Sequence, residues 1–388
     1  MSDYLCEELI VEIFGRLPLK SLLRFTSLCK SLRSCIASSH FIRMHASRSP
    51  KRLIIAHHLI NKNTEKYDYE IFRMLHPVDD LSMCPIRYCV KFPTRTTFIA
   101  SSCNGIICLH DIQKGMIILW NPSIRRQLTL SDCSRRFPYR IVIGFGFDPI
   151  TYDNKIVTIR KYGENIQNSF IYSMKTGDWR PISTPMPFYS YVLSSACFVN
   201  GVLHWVVFTN SKDVDPWCIL TFDLSTHVFG MIAFPKPSWR CHKLTIIQDS
   251  LAVISKDRND SCICVRRDDS WSVIFKSETD QYREGVRNVV ELTKDGDFLF
   301  DTYSDEFQVY NSKREARSRV VGFNDACVMV DMDIYVESLQ LLDMGTVCKV
   351  NRPSFSIEKK RNGSLLDHST ESQTMIEYSE IDKNHCLS

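Results

Sequence analysis

The sequence predicts a mainly β chain that opens with a small α-helical module: three helices, then a β-propeller of about six four-stranded blades. Three observations carry that prediction. Apolar residues recur at helical spacing only in the first 45 residues. From about residue 51 to 345 the pattern changes to short runs rich in β-branched and aromatic residues. Turn dipeptides punctuate those runs at a nearly constant interval.

In the first helix Leu5, Leu9, Ile10, Ile13, Phe14 and Leu17 share an apolar face. Pro18 interrupts it, because proline lacks the amide hydrogen that a helix interior needs. A short second helix carries Leu19, Leu22 and Leu23. A third runs from about Thr26, an N-cap residue type, with Leu28, Leu32, Cys35 and Ile36 on its inner side. Phe41 and Met44 extend the apolar set. A module this small leans on a partner for stability. Residues 1–46 are therefore read as one domain.

The strands follow as Arg52–Ile55, Ile106–Leu109, Ile141–Phe147, Lys155–Arg160, Ile219–Phe222 and Phe298–Asp301, among others. Tight-turn pairs sit at Asn104-Gly105, Asp153-Asn154, Asn200-Gly201, Asp249-Ser250 and Asp295-Gly296, which are 46 to 49 residues apart. A second turn follows each, at Asn121-Pro122-Ser123, Lys175–Asp178, Asp223–Thr226, Asp268-Asp269-Ser270 and Asn311-Ser312-Lys313. Four antiparallel strands per period are the signature of a propeller blade. One period back, RLIIAHHLI and YEIFRML supply two more strands; one period forward, Tyr335–Leu342 alternates like a strand. The two ends then share a blade and close the ring, leaving few exposed edges. This second domain covers 51–345, and the polar stretch 351–388 reads as a disordered tail. An open stack of sheets is the competing fold.

Residues 191–208 contain no charge and imitate a membrane span, but Asn200-Gly201 divides them into two buried strands around a hairpin turn. No membrane partner is expected. Forty-eight basic against 44 acidic side chains give a net +4, too even to argue for nucleic acid. The placement is less even. Lys20, Arg24, Lys30, Arg33, Arg43, Arg48, Lys51 and Arg52 fall in 19–52 with no acid between them, which suits an acidic partner or a solvated helix face. The sixteen cysteines include no CxxC pair, and many lie in apolar runs where a thiol acts as a small hydrophobe. With no signal-peptide pattern at the start, all are read as reduced, in cytoplasm or nucleus.

The stretch from Leu5 to Phe25 (LCEELIVEIFGRLPLKSLLRF), continued by Leu28-Cys29-Lys30-Ser31-Leu32-Arg33 and Phe41, resembles an F-box of the plant type. Cys6 and Leu32 stand where that pattern has proline and tryptophan. Ser102–Leu109 with Leu119–Arg125 (LWNPSIR), Gly144–Pro149 (GFGFDP) and Val199–Trp205 (VNGVLHW) resemble the plant F-box-associated interaction domain, the F-box/kelch-repeat type, with a layout similar to S-locus F-box proteins. The resemblance implies a kelch-like propeller behind a three-helix F-box. It also implies a Skp-type adaptor as partner and, through it, a cullin and a RING protein in a ubiquitin ligase. Leu5, Leu9, Ile13, Leu17, Pro18, Leu22, Leu28, Cys29 and Leu32 would meet the adaptor. The chain would be non-catalytic, presenting a target protein for ubiquitination and degradation.

The target is expected on the long loops of the propeller, since binding residues favour loops on a rigid scaffold. Tyr139, Tyr189, Trp217, Trp239, Arg240 and Arg283 are the candidates there, because Tyr, Trp and Arg dominate interface energetics. Trp120, Trp179, Trp205 and Trp271 lie within strands and are expected in the core. Two rivals remain. One is a ligase-free interaction scaffold. The other is a propeller enzyme with copper chemistry, which needs His and Tyr ligands converging on one axis. His57, His58, His76, His110, His204, His227 and His242 are scattered, and Gly144-x-Gly146 has no following helix, so it reads as strand packing. No metal or cofactor is expected.

Overall fold

The structure is a computed structural model. It describes residues 7–60, 67–75, 89–92, 97–111, 115–131, 140–162, 165–183, 189–192, 196–209, 217–235, 240–257, 260–278, 286–291, 297–302, 307–311, 316–319 and 327–342. The helices are α1 (Glu7–Phe14), α2 (Leu19–Phe25), α3 (Lys30–Ala37) and α4 (Ser39–Arg48). Pro18 precedes α2 with φ −58° and ψ 143°, a position where its fixed φ is compatible and its missing N–H costs nothing.

Two helix expectations are corrected. Thr26 ends α2 instead of starting α3, its hydroxyl donating to the Leu23 carbonyl at 2.7 Å. Cys29 caps α3, its sulfur accepting from the Leu32 amide at 3.4 Å. Among the described residues the helices also number four, not three. Ser38 is extended and its Oγ accepts from the Phe41 amide at 3.2 Å, so the chain breaks and restarts as α4.

Among the described residues twenty-five strands follow, and no helix lies after Arg48. The first sheet begins with β1 (Lys51–Ile60), β2 (Tyr67–Leu75) and β3 (Cys89–Phe92). The second is β4 (Thr97–Cys103), β5 (Ile106–Asp111), β6 (Met116–Asn121) and β7 (Arg126–Ser131). The third is β8 (Arg140–Asp148), β9 (Asp153–Tyr162), β10 (Asn165–Ser173) and β11 (Trp179–Ile182). The fourth has β12 (Tyr189–Val192), β13 (Cys197–Val199), β14 (Val202–Thr209), β15 (Trp217–Asp223) and β16 (Phe229–Ala233). The fifth is β17 (Arg240–Ile247), β18 (Ser250–Asp257), β19 (Asp260–Arg267) and β20 (Ser270–Glu278). The sixth is β21 (Val286–Glu291), β22 (Phe298–Thr302), β23 (Phe307–Asn311) and β24 (Ala316–Arg319). The last strand, β25 (Cys327–Val336), returns to pair antiparallel with β1, Lys51 opposite Val336.

The expectation of about six four-stranded blades meets five four-stranded sheets and a sixth sheet with five strands. In that sheet β12 pairs with Val207–Thr209 of β14 and β13 with Val202–His204, both on the edge away from β15. Two short pieces thus fill one strand position. The edge strands β25, β4, β8, β13, β17 and β21 contact one another in turn, and β21 closes the circuit on β25. The arrangement is a β-propeller. Tyr335–Leu342, expected as one strand, is strand only through Val336; Glu337–Leu342 leaves the sheet.

Inner strands are covered on both faces and outer ones on one, which decides the tryptophans. Trp120 and Trp205 are buried, whereas Trp179 and Trp271 on the outermost strands β11 and β20 are only half-buried. Gly144 and Gly146 on β8 set the spacing of neighbouring sheets. A Cβ on Gly144 would lie 2.6 Å from Trp205 Cζ2, and one on Gly146 would meet the Phe198 ring. The Asn104-Gly105 and Asn200-Gly201 turns have both residues at positive φ (50° and 76°, 48° and 83°), as a two-residue hairpin turn of type I′ needs. The segment that imitated a membrane span contains the second of these turns, and no described helix is long and apolar enough to cross a membrane.

Candidate functional site

The helical module is built around Leu19, Leu22, Ile36 and Phe41, with Val11, Phe14, Leu17, Leu23 and Phe25 packed against them. Phe14 and Phe25 stack with centroids 5.0 Å apart. His45 is buried, its Nε2 3.0 Å from the Leu17 carbonyl. Glu12 joins α1 to α4 through Arg48 at 2.9 Å and also accepts from Arg16. Those hydrogen bonds, Arg48 first, hold its carboxyl below the usual range.

The apolar stripe of α1 has two sides. Phe14 turns inward, while Leu9 and Ile13, one helical turn apart, remain 51% and 49% exposed. Leu28, in the turn before α3, is 67% exposed. Pro18 and Cys29 are exposed, and Leu17 and Leu32 are half-buried. Leu22 is fully buried, so it supports the module from within. Leu5 lies outside the described residues. Sequence periodicity could not separate Leu22 from Leu9, because both are leucines on an apolar face; only the packing does.

The basic run is also divided. Lys20, Arg24, Lys30 and Arg33 are exposed on the helices. Arg43 instead lies over the Tyr152 ring at 4.4 Å, and Arg52 pairs with Glu337 at 3.0 Å. Tyr152 belongs to the β8–β9 turn, so α4 rests on the end of the propeller that carries the tight turns.

Two polar nodes at that end were not anticipated. In the first, buried Asn121 donates through Nδ2 to the carbonyls of Ser338 (3.0 Å) and Gln340 (2.8 Å), while its Oδ1 accepts from the Tyr335 hydroxyl and the Ser123 amide. In the second, buried Asp148 accepts from Lys155 Nζ at 2.7 Å, the Ile150 amide at 2.9 Å and Ser225 Oγ at 2.6 Å, joining the third and fourth sheets. Burial would raise that carboxyl, but hydrogen bonds from Lys155, Ser225 and Thr151 outweigh it and hold it well below the usual range. Lys155 also donates to the Leu224 carbonyl and lies 3.2 Å from His227 Nε2. The signal available in sequence was an Asx residue at a strand end followed by proline, Asn121-Pro122 and Asp148-Pro149, which reads as a turn and conceals the longer reach of the side chain.

At the opposite end of the sheets, Tyr189 opens β12, Trp217 opens β15 and Arg240 opens β17. Three candidates therefore share one end of two adjacent sheets. Trp217 is half-buried, edge-on to Phe208 with centroids 5.0 Å apart, and packed on the cluster between the fourth and fifth sheets. The side chains of Tyr189 and Arg240, and all of Tyr139, Trp239 and Arg283, lie outside the described residues.

His204 is buried, with Nδ1 3.2 Å from the Cys197 carbonyl, and burial pushes its pKa down to about 4. Asp268 and Asp269 form the β19–β20 turn. Cys103, Cys108 and Cys197 are buried thiols that burial shifts upward. Among the described residues no group of three His, Cys, Asp or Glu is placed to hold a metal ion.

Residues 3–44 match the F-box domain, and residues 58–326 match the F-box associated beta propeller domain. An Arabidopsis thaliana F-box protein, At3g16210, is 28% identical over 241 residues, covering 61% of this chain and 62% of its own length. A second from that plant, At1g47790, is 23% identical over 335 residues, covering 82% and 84%. An Arabidopsis F-box/kelch-repeat protein, At3g23880, is 27% identical over 260 residues, covering 62% and 68%. This chain thus spans about three fifths of the first of these relatives and more of the other two. With a helical module and a propeller each matched in its own place, the chain belongs to the F-box proteins that carry an F-box associated beta propeller domain.

Proposed function

We propose that the chain is the substrate-recognition subunit of an SCF-type (Skp–cullin–F-box) ubiquitin ligase. One observation carries the adaptor half of that reading. Leu9, Ile13 and Leu28 are large apolar side chains left exposed on a module whose core of Leu19, Leu22, Ile36 and Phe41 is buried. Exposed apolar surface of that kind marks an interaction site. Exposed Lys20, Arg24, Lys30 and Arg33 on the same module favour an acidic partner. Leu5, Leu17, Pro18, Cys29 and Leu32 complete the adaptor contact, with Leu22 supporting it.

The chain performs no bond chemistry. It raises the local concentration of a bound target beside the ubiquitin-conjugating enzyme, so its contribution is proximity. The target would sit at the end of the propeller that carries Tyr189, Trp217 and Arg240, away from the F-box. In this reading the six sheets are the six blades of a kelch-like ring over 51–345, and the protein works in cytoplasm or nucleus.

The test is capture of a plant Skp-type adaptor by the purified full chain, beside Leu9→Asp with Ile13→Asp. Wild type should bind and the double variant should not, because burying an unpaired carboxylate costs several kcal/mol for each ion. Capture by both proteins alike, or by neither while both are folded, would reject the adaptor-binding reading.

A further inference from the structure

We propose that Ser338–Leu342, beyond the last propeller strand, is a strap that completes the F-box core and clamps the module to the propeller, with Asn121 as its anchor. The inference rests on the adaptor reading for its consequence and on the packing for its substance.

The strap faces two ways. Leu339 and Leu342 are buried in the same cluster as Leu19, Leu22, Ile36 and Phe41 of the helices. Leu341, between them, is buried in the cluster shared by the second and third sheets. The segment therefore contributes side chains to both cores within a single turn. Its polar groups are held as firmly. Asn121 binds the Ser338 and Gln340 carbonyls, and Ser338 Oγ donates to the Asn104 carbonyl at 2.8 Å. A Cβ on Gly105 would collide with the Ser338 side chain, so that glycine is needed for the approach as well as for its turn.

The backbone adds a separate argument. The Leu342 amide bonds the Leu339 carbonyl at 3.1 Å, closing a turn whose third residue, Leu341, has φ 73°. A bulky residue in that region is strained, and it persists where its surroundings over-determine it. Here the surroundings are the packed Leu341 side chain below and the two helix-facing leucines either side. The strap thus ties residues far apart in sequence into the fold of the F-box itself, and adaptor affinity depends on them although they lie outside the box.

The experiment uses the full chain with Leu339→Ala plus Leu342→Ala, beside Leu342→Met. Amide hydrogen exchange is followed in α2, α3 and α4 and, as reference, in β14, β15 and β18; adaptor affinity is measured on the same samples. The alanine pair should speed exchange in the three helices by about tenfold or more while the reference strands keep their protection, and should weaken adaptor binding by a similar factor. Leu342→Met, which conserves volume, should retain wild-type behaviour in both readouts. Unchanged exchange in the helices, or equal loosening of helices and reference strands, would overturn the strap. Failure of wild type to bind the adaptor would remove the ligase reading alone, since the exchange comparison is independent of it.

Discussion

Replacing Lys155 by methionine should destabilise the propeller more than any exposed substitution. Methionine keeps the unbranched length of the stem and removes only the ammonium. What remains is Asp148, wholly buried, still accepting from the Ile150 amide and the Thr151 and Ser225 hydroxyls but without its counter-charge. Removing one partner of a buried ion pair typically costs roughly 3–5 kcal/mol. The remaining donors favour the lower end, and the Leu224 carbonyl, which loses its Lys155 donor, adds about 1 kcal/mol. The expectation is therefore about 4 kcal/mol, read as a lower urea midpoint and as a melting temperature lower by about 6 °C. Adding Asp148→Asn should recover at least about 1 kcal/mol, because a neutral amide tolerates the site better than an uncompensated carboxylate. A Lys155→Met protein within about 0.5 kcal/mol of wild type, or a double variant less stable than the single one, would refute the argument that this buried pair ties the third and fourth sheets together.

Two further predictions test packing and titration. Gly144→Ala should lower the urea midpoint by the equivalent of about 1–3 kcal/mol at unchanged denaturant slope, since its Cβ would sit 2.6 Å from Trp205 Cζ2 and 2.8 Å from Leu203 Cδ1; an unchanged midpoint would mean the sheets are not closely apposed there. His204 has a folded pKa of about 4 against an ordinary value of 6.5, so the unfolded chain binds the extra proton first. Its contribution is complete above pH 6.5 and is lost as the pH falls towards 4, a total of about 3 kcal/mol. Stability measured from pH 7 to 4.5 should fall less steeply in His204→Gln than in wild type, and parallel curves would contradict the assignment.

Much of this architecture was legible in one dimension. A regular β period was readable because each sheet repeats the same hydrogen-bonded path, and Asn-Gly at 104–105 and 200–201 is chemically suited to the two positive-φ residues that a tight hairpin demands. Asp153-Asn154, expected as a turn, instead opens β9 just after the turn that ends at Tyr152, and Asp295-Gly296 lies outside the described residues. The helical stripe from Leu9 to Leu23 is legible for the same kind of reason, a local periodicity imposed by local geometry. The break at Ser38 was harder, because the polar stretch Ser38-Ser39-His40 is short and the apolar pattern resumes at Phe41 and Met44. The alternating run Tyr335–Leu342 misled for a related reason. Period-two alternation describes a strand, but it also describes a strap that sends successive leucines into different cores.

The sequence by itself determined which region is helical and which is strand, the Asn-Gly hairpin turns and the family, because these depend on residue type and near-neighbour spacing. Tertiary structure alone decided which leucines of the F-box face solvent, which lysine is neutralised inside and which asparagine anchors the chain end. Leu9 and Leu22 differ in no intrinsic property, and Asn121 is separated from Ser338 by nearly the whole propeller. Burial and long-range hydrogen bonds are properties of pairs brought together by ring closure, and no local pattern along a strand records its partner in another sheet.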